Sequence, residues 1–253
     1  MAATTERRGA VTTIILDRPE RRNAVDPETA RDLRTAFRAF ERDRPARVAV
    51  LWGAHGTFCA GADLKAFAER RQRRGWVVHD EGAMGPTRIR LAKPVIAAVS
   101  GYAVAGGFEL ALWCDLRVVE EDAIMGVFNR RWGIPLVDGG TVRLPAVVGL
   151  SRALDIILTG RPIDAREAER IGLADRVVAH GRAREEAERL AQTISEFPPN
   201  CVLSDRRATY EALGKTQAAA LRREYALGLA TLKTGESLAG AQRFAAGAGR
   251  HGR

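Results

Sequence analysis

The feature that most constrains this chain is a repeated order: an apolar run of strand length, a glycine-containing loop, then a helix pattern. Val48-Ala49-Val50-Leu51-Trp52 leads into Gly56–Leu64, and Pro94-Val95-Ile96-Ala97-Ala98-Val99 leads into Gly101–Gly107 and the apolar helix Phe108–Cys114. A continuous apolar run reads as a strand buried on both faces, and strands alternating with helices define an α/β protein. Val11–Leu16 and Asp115-Leu116-Arg117-Val118-Val119 add two further strands. Helices are expected from Pro27, with Asp26 as N-cap and Leu33, Phe37 and Phe40 on one face, and at Thr141–Val148 with a kink at Pro145. More are expected at Ser151–Leu158, after Asp164 with a Glu167 capping box, and at Ala183–Glu196. Beyond Pro198-Pro199 everything is helical in pattern: Val202–Leu213, Thr216–Leu232 and Glu236–Ala246. Residues 1–196 therefore read as an α/β core and 197–253 as a helical C-terminal region. Lys65–Gly85 reads as a charged helix and loop, and the tail from Gly247 as flexible by composition.

The 253 residues are 46% hydrophobic and 28% charged, which excludes intrinsic disorder as the dominant state. No run is long enough for a membrane helix, and MAATTERRGA lacks the apolar stretch of a secretory signal. Three widely spaced cysteines, Cys59, Cys114 and Cys201, suit a reducing compartment. The net charge is +9, and of 40 basic residues all but four are arginine, whose planar fork suits phosphate. The arginines lack the interleaved aromatics of a nucleic-acid groove. From charge alone, a nucleic acid, an anionic membrane face or a phosphorylated small ligand together stand level with a merely solvated surface.

Chemistry concentrates in the two glycine loops. Backbone N–H groups of Ala62 and Gly106, converging on one point, would form an oxyanion hole. Taken singly, each loop reads first as a tight structural turn, and neither has a phosphate-loop or dinucleotide spacing. Glu109, three residues after Gly106, shares its helix face and is flanked by Phe108 and Leu110. A carboxyl in such surroundings has a raised pKa and can exchange protons near neutrality. A paired helix-start glutamate is the alternative from position alone.

The stretch from Lys93 to Asp115, with Ala105-Gly106-Gly107-Phe108-Glu109-Leu110 at its centre, resembles the signature of the enoyl-CoA hydratase/isomerase (crotonase) family. Three other segments match in order: Leu16–Ala24, Phe58–Leu64 and Gly139–Pro145. The resemblance implies a crotonase-like α/β spiral of ββα units with a helical C-terminal trimerisation region. It also implies a homotrimer or hexamer and an acyl-CoA thioester as substrate in fatty acid metabolism. Ala62 and Gly106 would hold the thioester oxygen, and Ala60, Ala62, Asp63 and Leu64 would carry the coenzyme A moiety. No separate cofactor or metal is implied, since coenzyme A is part of the substrate. A cytoplasmic location follows, with no membrane or nucleic-acid partner.

Hydratases of the family use two glutamates. The first corresponds to Glu109; where the second is expected, this chain has Asn129, which cannot exchange a proton at neutral pH. Asp138 is a candidate substitute, with a cap for the helix near Thr141 as the other reading. Enoyl-CoA hydratase is thus the nominal activity. The alternatives are a single-carboxylate isomerase, decarboxylase or thioester hydrolase, or a binding protein on the same scaffold, for coenzyme A without hydration or for nucleic acid. Glu120, Glu121 and Asp122 read as a solvated turn. His55, His79, His180 and His251 match no catalytic position, and Cys59 and Cys114 read as packing residues.

Overall fold

Alternating side chains on a strand leave to opposite faces, so runs apolar at every position need cover on both sides. The computed structural model describes residues 2–73 and 82–248 and shows that cover. In chain order the strands are β1 (Ala3–Arg8), β2 (Val11–Leu16), β3 (Val48–Gly53), β4 (Val95–Val99), β5 (Tyr102–Val104), β6 (Leu116–Glu120), β7 (Ile124–Gly126), β8 (Ile163–Asp164) and β9 (Arg176–Val178). The helices are α1 (Pro27–Arg42), α2 (Leu64–Arg73), α3 (Gly106–Trp113), α4 (Gly140–Val148), α5 (Leu150–Thr159), α6 (Ala165–Arg170), α7 (Ala183–Glu196), α8 (Pro199–Ala212), α9 (Gln217–Leu232) and α10 (Glu236–Ala245).

Strands β1-β2-β3-β4-β6-β9 form one sheet, parallel except for β1, and β5-β7-β8 form a second. After β4 the chain crosses to β5 in the second sheet and enters α3. After β6 it crosses to β7 and then to a 3-10 turn, Phe128–Trp132. Each unit thus steps from sheet to sheet to helix, and the chain winds as a spiral. On one face of the large sheet, Val48, Val50, Ile96, Ala98 and Val118 pack on Ala183, Ala187, Leu190 and Ala191 of α7. The alternate residues, Ala49, Leu51, Ala97 and Val119, pack on the opposite face with Leu33 and Phe37 of α1 and Phe108 of α3.

The local signals behave as the sequence leads one to expect at α1 and α7. The Asp26 carboxylate accepts the Thr29 N–H at 2.8 Å, and Leu33, Phe37 and Phe40 are buried. Three expectations change, and one further strand appears where none was expected. The N-terminal ATTERR segment is a strand, β1, although all but Ala3 is exposed; it forms by pairing at the edge, not by composition. Gly101–Gly107 is not one loop, because Tyr102–Val104 pairs with β7. Asp164 caps α6 through the Glu167 N–H, but the Glu167 carboxylate turns to Arg161 instead of back to the cap. Glu120 is buried and accepts from the Ser100 hydroxyl at 2.8 Å, so it is no solvated turn.

Helices α8, α9 and α10 bury no residue completely. Helix α8 is tied to the core where Arg206 Nε and Tyr210 OH both donate to Asp115 Oδ1, at 3.0 and 2.6 Å. The expected charged helix is α2; residues 74–81 of the loop after it, with His79, and 249–253 of the tail, with His251, lie outside the described residues. Among the described residues no helix is long and apolar enough to cross a membrane.

Candidate active site

Backbone lacing brings the two glycine loops together. Phe58 N–H donates to Ser100 O, Cys59 N–H to Tyr102 O and Val104 N–H to Cys59 O, at 2.8, 2.9 and 3.1 Å. Approach is close enough that a Cβ on Gly107 would stand 2.1 Å from Cys59 O, and one on Gly61 would stand 3.0 Å from the Gly106 N. Ala105 sits at φ 54°, ψ −125°, an uncommon conformation for a side-chain-bearing residue, and starts α3 without a side-chain cap. The α3 N-terminus therefore presents its first N–H, that of Gly106, unused by the helix. The Ala62 N–H is also outside its bridge with Val25, which uses Gly61 O and the Asp63 N–H. Among the described residues neither the Ala62 nor the Gly106 N–H donates to another protein group.

Both groups border a cavity of about 250 Å³ that also takes in Ala60, Leu64, Glu109, Asn129 and Asp138. Phe67, Met84, Phe128, Trp132 and Ile134 make most of its wall apolar. Of the residues singled out from the sequence, Asp63 alone does not line it. Its carboxylate accepts the Ala66 N–H at the start of α2 and lies 3.4 Å from Arg18 Nη2.

Glu109 is buried on α3, and its Oε1 accepts the N–H groups of Asp138 and Gly140, at 2.9 and 2.8 Å. Burial raises its pKa to about 7; the Gly140 N–H opposes the rise, and the Asp138 carboxylate adds to it. The folded value exceeds the unfolded value, so this group's contribution to stability is full below about pH 4.5. It is lost as pH rises through 7, on the order of 3 kcal/mol. Unfolding at pH 4.5 and pH 8 is expected to show Glu109→Gln gaining on the wild type by that amount at the higher pH. An equal difference at both pH values would refute the raised pKa.

Asp138 does not cap α4; Gly139 occupies that position at φ 98°. Asp138 Oδ1 instead accepts the Met84 N–H at 3.0 Å and the Thr87 hydroxyl. Asn129 Nδ2 donates to Ile134 O at 2.8 Å and closes its own loop, and among the described residues its buried Oδ1 has no partner. Sequence reasoning did not single out Met84, Thr87 or Trp132. Only Gly82 and Gly85 beside Met84 hinted at a close approach there.

Burial pushes the Cys59 thiol up to about 12 and raises that of Cys114, so neither is a nucleophile at neutral pH. Among the described residues one group, Glu120, Asp122 and His180, approaches metal-ligand spacing. It lies outside the cavity.

The spiral α/β fold sets two unengaged backbone N–H groups and one near-neutral carboxyl around a single apolar cavity, an arrangement suited to holding an oxyanion. The family model described as enoyl-CoA hydratase/isomerase matches residues 6–247, and this chain belongs to that family. It is 38% identical over 241 residues to a probable enoyl-CoA hydratase of Rhizobium meliloti, covering 95% of this chain and 93% of that one. A carnitinyl-CoA dehydratase of Proteus mirabilis is 40% identical over 200 residues, covering 77% and 75%. The crystal structure of an enoyl-CoA hydratase from Mycobacterium marinum superposes with a TM-score of 0.91 at 33% identity, covering 96% of this chain and 95% of that one. The fold is the crotonase-like spiral.

Proposed function

We propose that this enzyme reversibly hydrates a 2-enoyl thioester of coenzyme A to the 3-hydroxyacyl thioester. The observation that carries the reading is one carboxyl with a pKa of about 7, Glu109, sharing an apolar cavity with the Ala62 and Gly106 N–H groups. The thioester oxygen sits between the two donors, with coenzyme A along Ala60–Leu64 and the acyl chain against Met84, Phe128 and Trp132. Water adds its oxygen to Cβ, and the double-bond electrons move onto the thioester oxygen as an enolate. Glu109 takes the water proton and delivers a proton to Cα as the carbonyl reforms. Each oxyanion donor contributes roughly 3 kcal/mol to such a step. Asn129 and Asp138 shape the cavity, while proton transfer falls to Glu109. Coenzyme A arrives with the substrate, so no resident cofactor or metal takes part.

A second reading is favoured by Asn129. With its Nδ2 held by Ile134 O and no second acid in its place, a double-bond shift that moves one proton from Cγ to Cα needs Glu109 alone. A panel of 2-enoyl and 3-enoyl thioesters, with products identified by mass spectrometry, separates the two. Gain of one water mass marks hydration; unchanged mass with a new retention time marks isomerisation. Absence of both would sink the proposal.

The proposal includes a cytoplasmic homotrimer, or a pair of trimers. Its support is the apolar surface that α9 leaves uncovered, with Leu221, Tyr225, Leu229 and Leu232 at 55, 69, 39 and 59% exposure. Multi-angle light scattering is expected to give a trimer or hexamer mass; a monomer at micromolar concentration would contradict it.

A further inference from the structure

Arg143 stands in the first turn of α4, half-buried, where the helix dipole disfavours a cation. Helix stability therefore does not account for it. Its guanidinium folds back over the helix start and packs on Gly139, where a Cβ would stand 2.1 Å from Nη1. Nη1 donates to Asp138 O at 2.8 Å and Nη2 to Thr87 O at 2.5 Å. A rigid fork spanning carbonyls of two separate segments is a geometry that arginine supplies and lysine does not.

What the two segments carry gives the fork its meaning. Asp138 and Gly140 offer their N–H groups to Glu109 Oε1, while Arg143 grips the carbonyl of the same Asp138. Thr87 and Met84 both donate to the Asp138 carboxylate, and Met84 packs against Gly106, where a Cβ would meet its Sδ at 2.5 Å. The ring Arg143–Asp138–Thr87 thus ties the acid/base carboxyl to the segment that backs an oxyanion donor.

We propose that Arg143 is a positioning residue that holds the Asp138 and Gly140 amides on Glu109 and keeps Met84 against Gly106. The assay of this role rests on the hydratase reading, but the brace itself does not. In Arg143→Met the side-chain length stays and the fork is lost. The expected result is a kcat lower by about 10- to 100-fold with KM little changed. Hydrogen–deuterium exchange is expected to quicken in peptides spanning 82–91 and 136–144, and the β-sheet to stay protected. Arg143→Lys, with charge but no fork, is expected to recover only part of kcat.

Unchanged kcat in a folded Arg143→Met protein would overturn the proposal. So would a lowered kcat accompanied by faster exchange throughout the sheet, which marks general destabilisation. Should Arg143→Met fail to fold, Arg143→Lys carries the test, since it loses the fork that spans the Asp138 and Thr87 carbonyls. Lowered kcat with faster exchange confined to 82–91 and 136–144 supports the brace, and unchanged values overturn it. Should the wild type turn over no enoyl thioester, the hydratase reading fails, and exchange alone decides: quickening confined to the two segments supports the brace, and its absence overturns it.

Discussion

Glu109→Gln is expected to lower turnover of the enoyl thioester by about 10²–10⁴-fold while leaving the affinity for a non-reactive acyl-CoA intact. Gln keeps the length of the side chain and a carbonyl oxygen for the Asp138 and Gly140 N–H groups that now reach Oε1. Shape and cavity therefore survive, and only the exchangeable proton disappears. The wild-type rate of hydration is expected to rise with pH through about 7, because the carboxylate form must accept the water proton. A Gln variant with near-normal turnover, or a flat profile between pH 6 and 8, would remove Glu109 from the chemistry. Stopped assays for kcat and calorimetry with a saturated acyl-CoA read the two quantities separately.

Ala62→Pro is expected to cost about 10²–10³-fold in turnover through loss of one oxyanion donor. Proline deletes the N–H that would form the hole. The bridge to Val25 runs through Gly61 O and the Asp63 N–H, at 2.8 and 2.9 Å, so it persists in the variant. Acyl-CoA binding is expected to weaken as well, since the thioester oxygen loses half of its cradle. Ala62→Ser, which keeps the N–H, serves as the matched control. If proline and serine variants bind and turn over alike at equal melting temperature, Ala62 is not a donor of the hole.

The arginine excess shows how far composition reaches. From charge, an external anionic partner of any kind and plain solvation stood level. In the folded chain many of these arginines are engaged with carboxylates: Arg161 with Asp155 and Glu167, Arg176 and Arg189 with Glu186, Arg207 and Arg223 with Glu211. Exposed pairs of this kind add little stability each. They show that basic residues can answer acidic neighbours instead of an external partner.

By itself the sequence determined what short-range periodicity and local capping encode. The parallel strands were legible because Val48–Trp52 and Val95–Val99 are apolar at every step. Helix α1 was legible because Asp26-Pro27 and the Leu33–Phe37–Phe40 spacing act within a few residues. Glu109 could be placed on the face of Gly106 because i and i+3 positions share a helix face whatever the tertiary setting. The tertiary structure alone decided the partners of polar atoms. Asp138 reaches Met84 across 54 residues, Arg143 reaches Thr87 across 56, and Glu109 takes its two amides from Asp138 and Gly140 across 29 and 31. No local pattern records such pairings. They form because close packing of the spiral sets these segments within hydrogen-bond distance, where a buried polar group without a partner costs roughly 1–3 kcal/mol. Asp138 could be read from the sequence as a cap or an acid with equal right until the packing gave it Met84 and Thr87. The edge strand β1 has the same cause, since six mainly polar residues become a strand only where β2 leaves an open row of N–H and C=O groups.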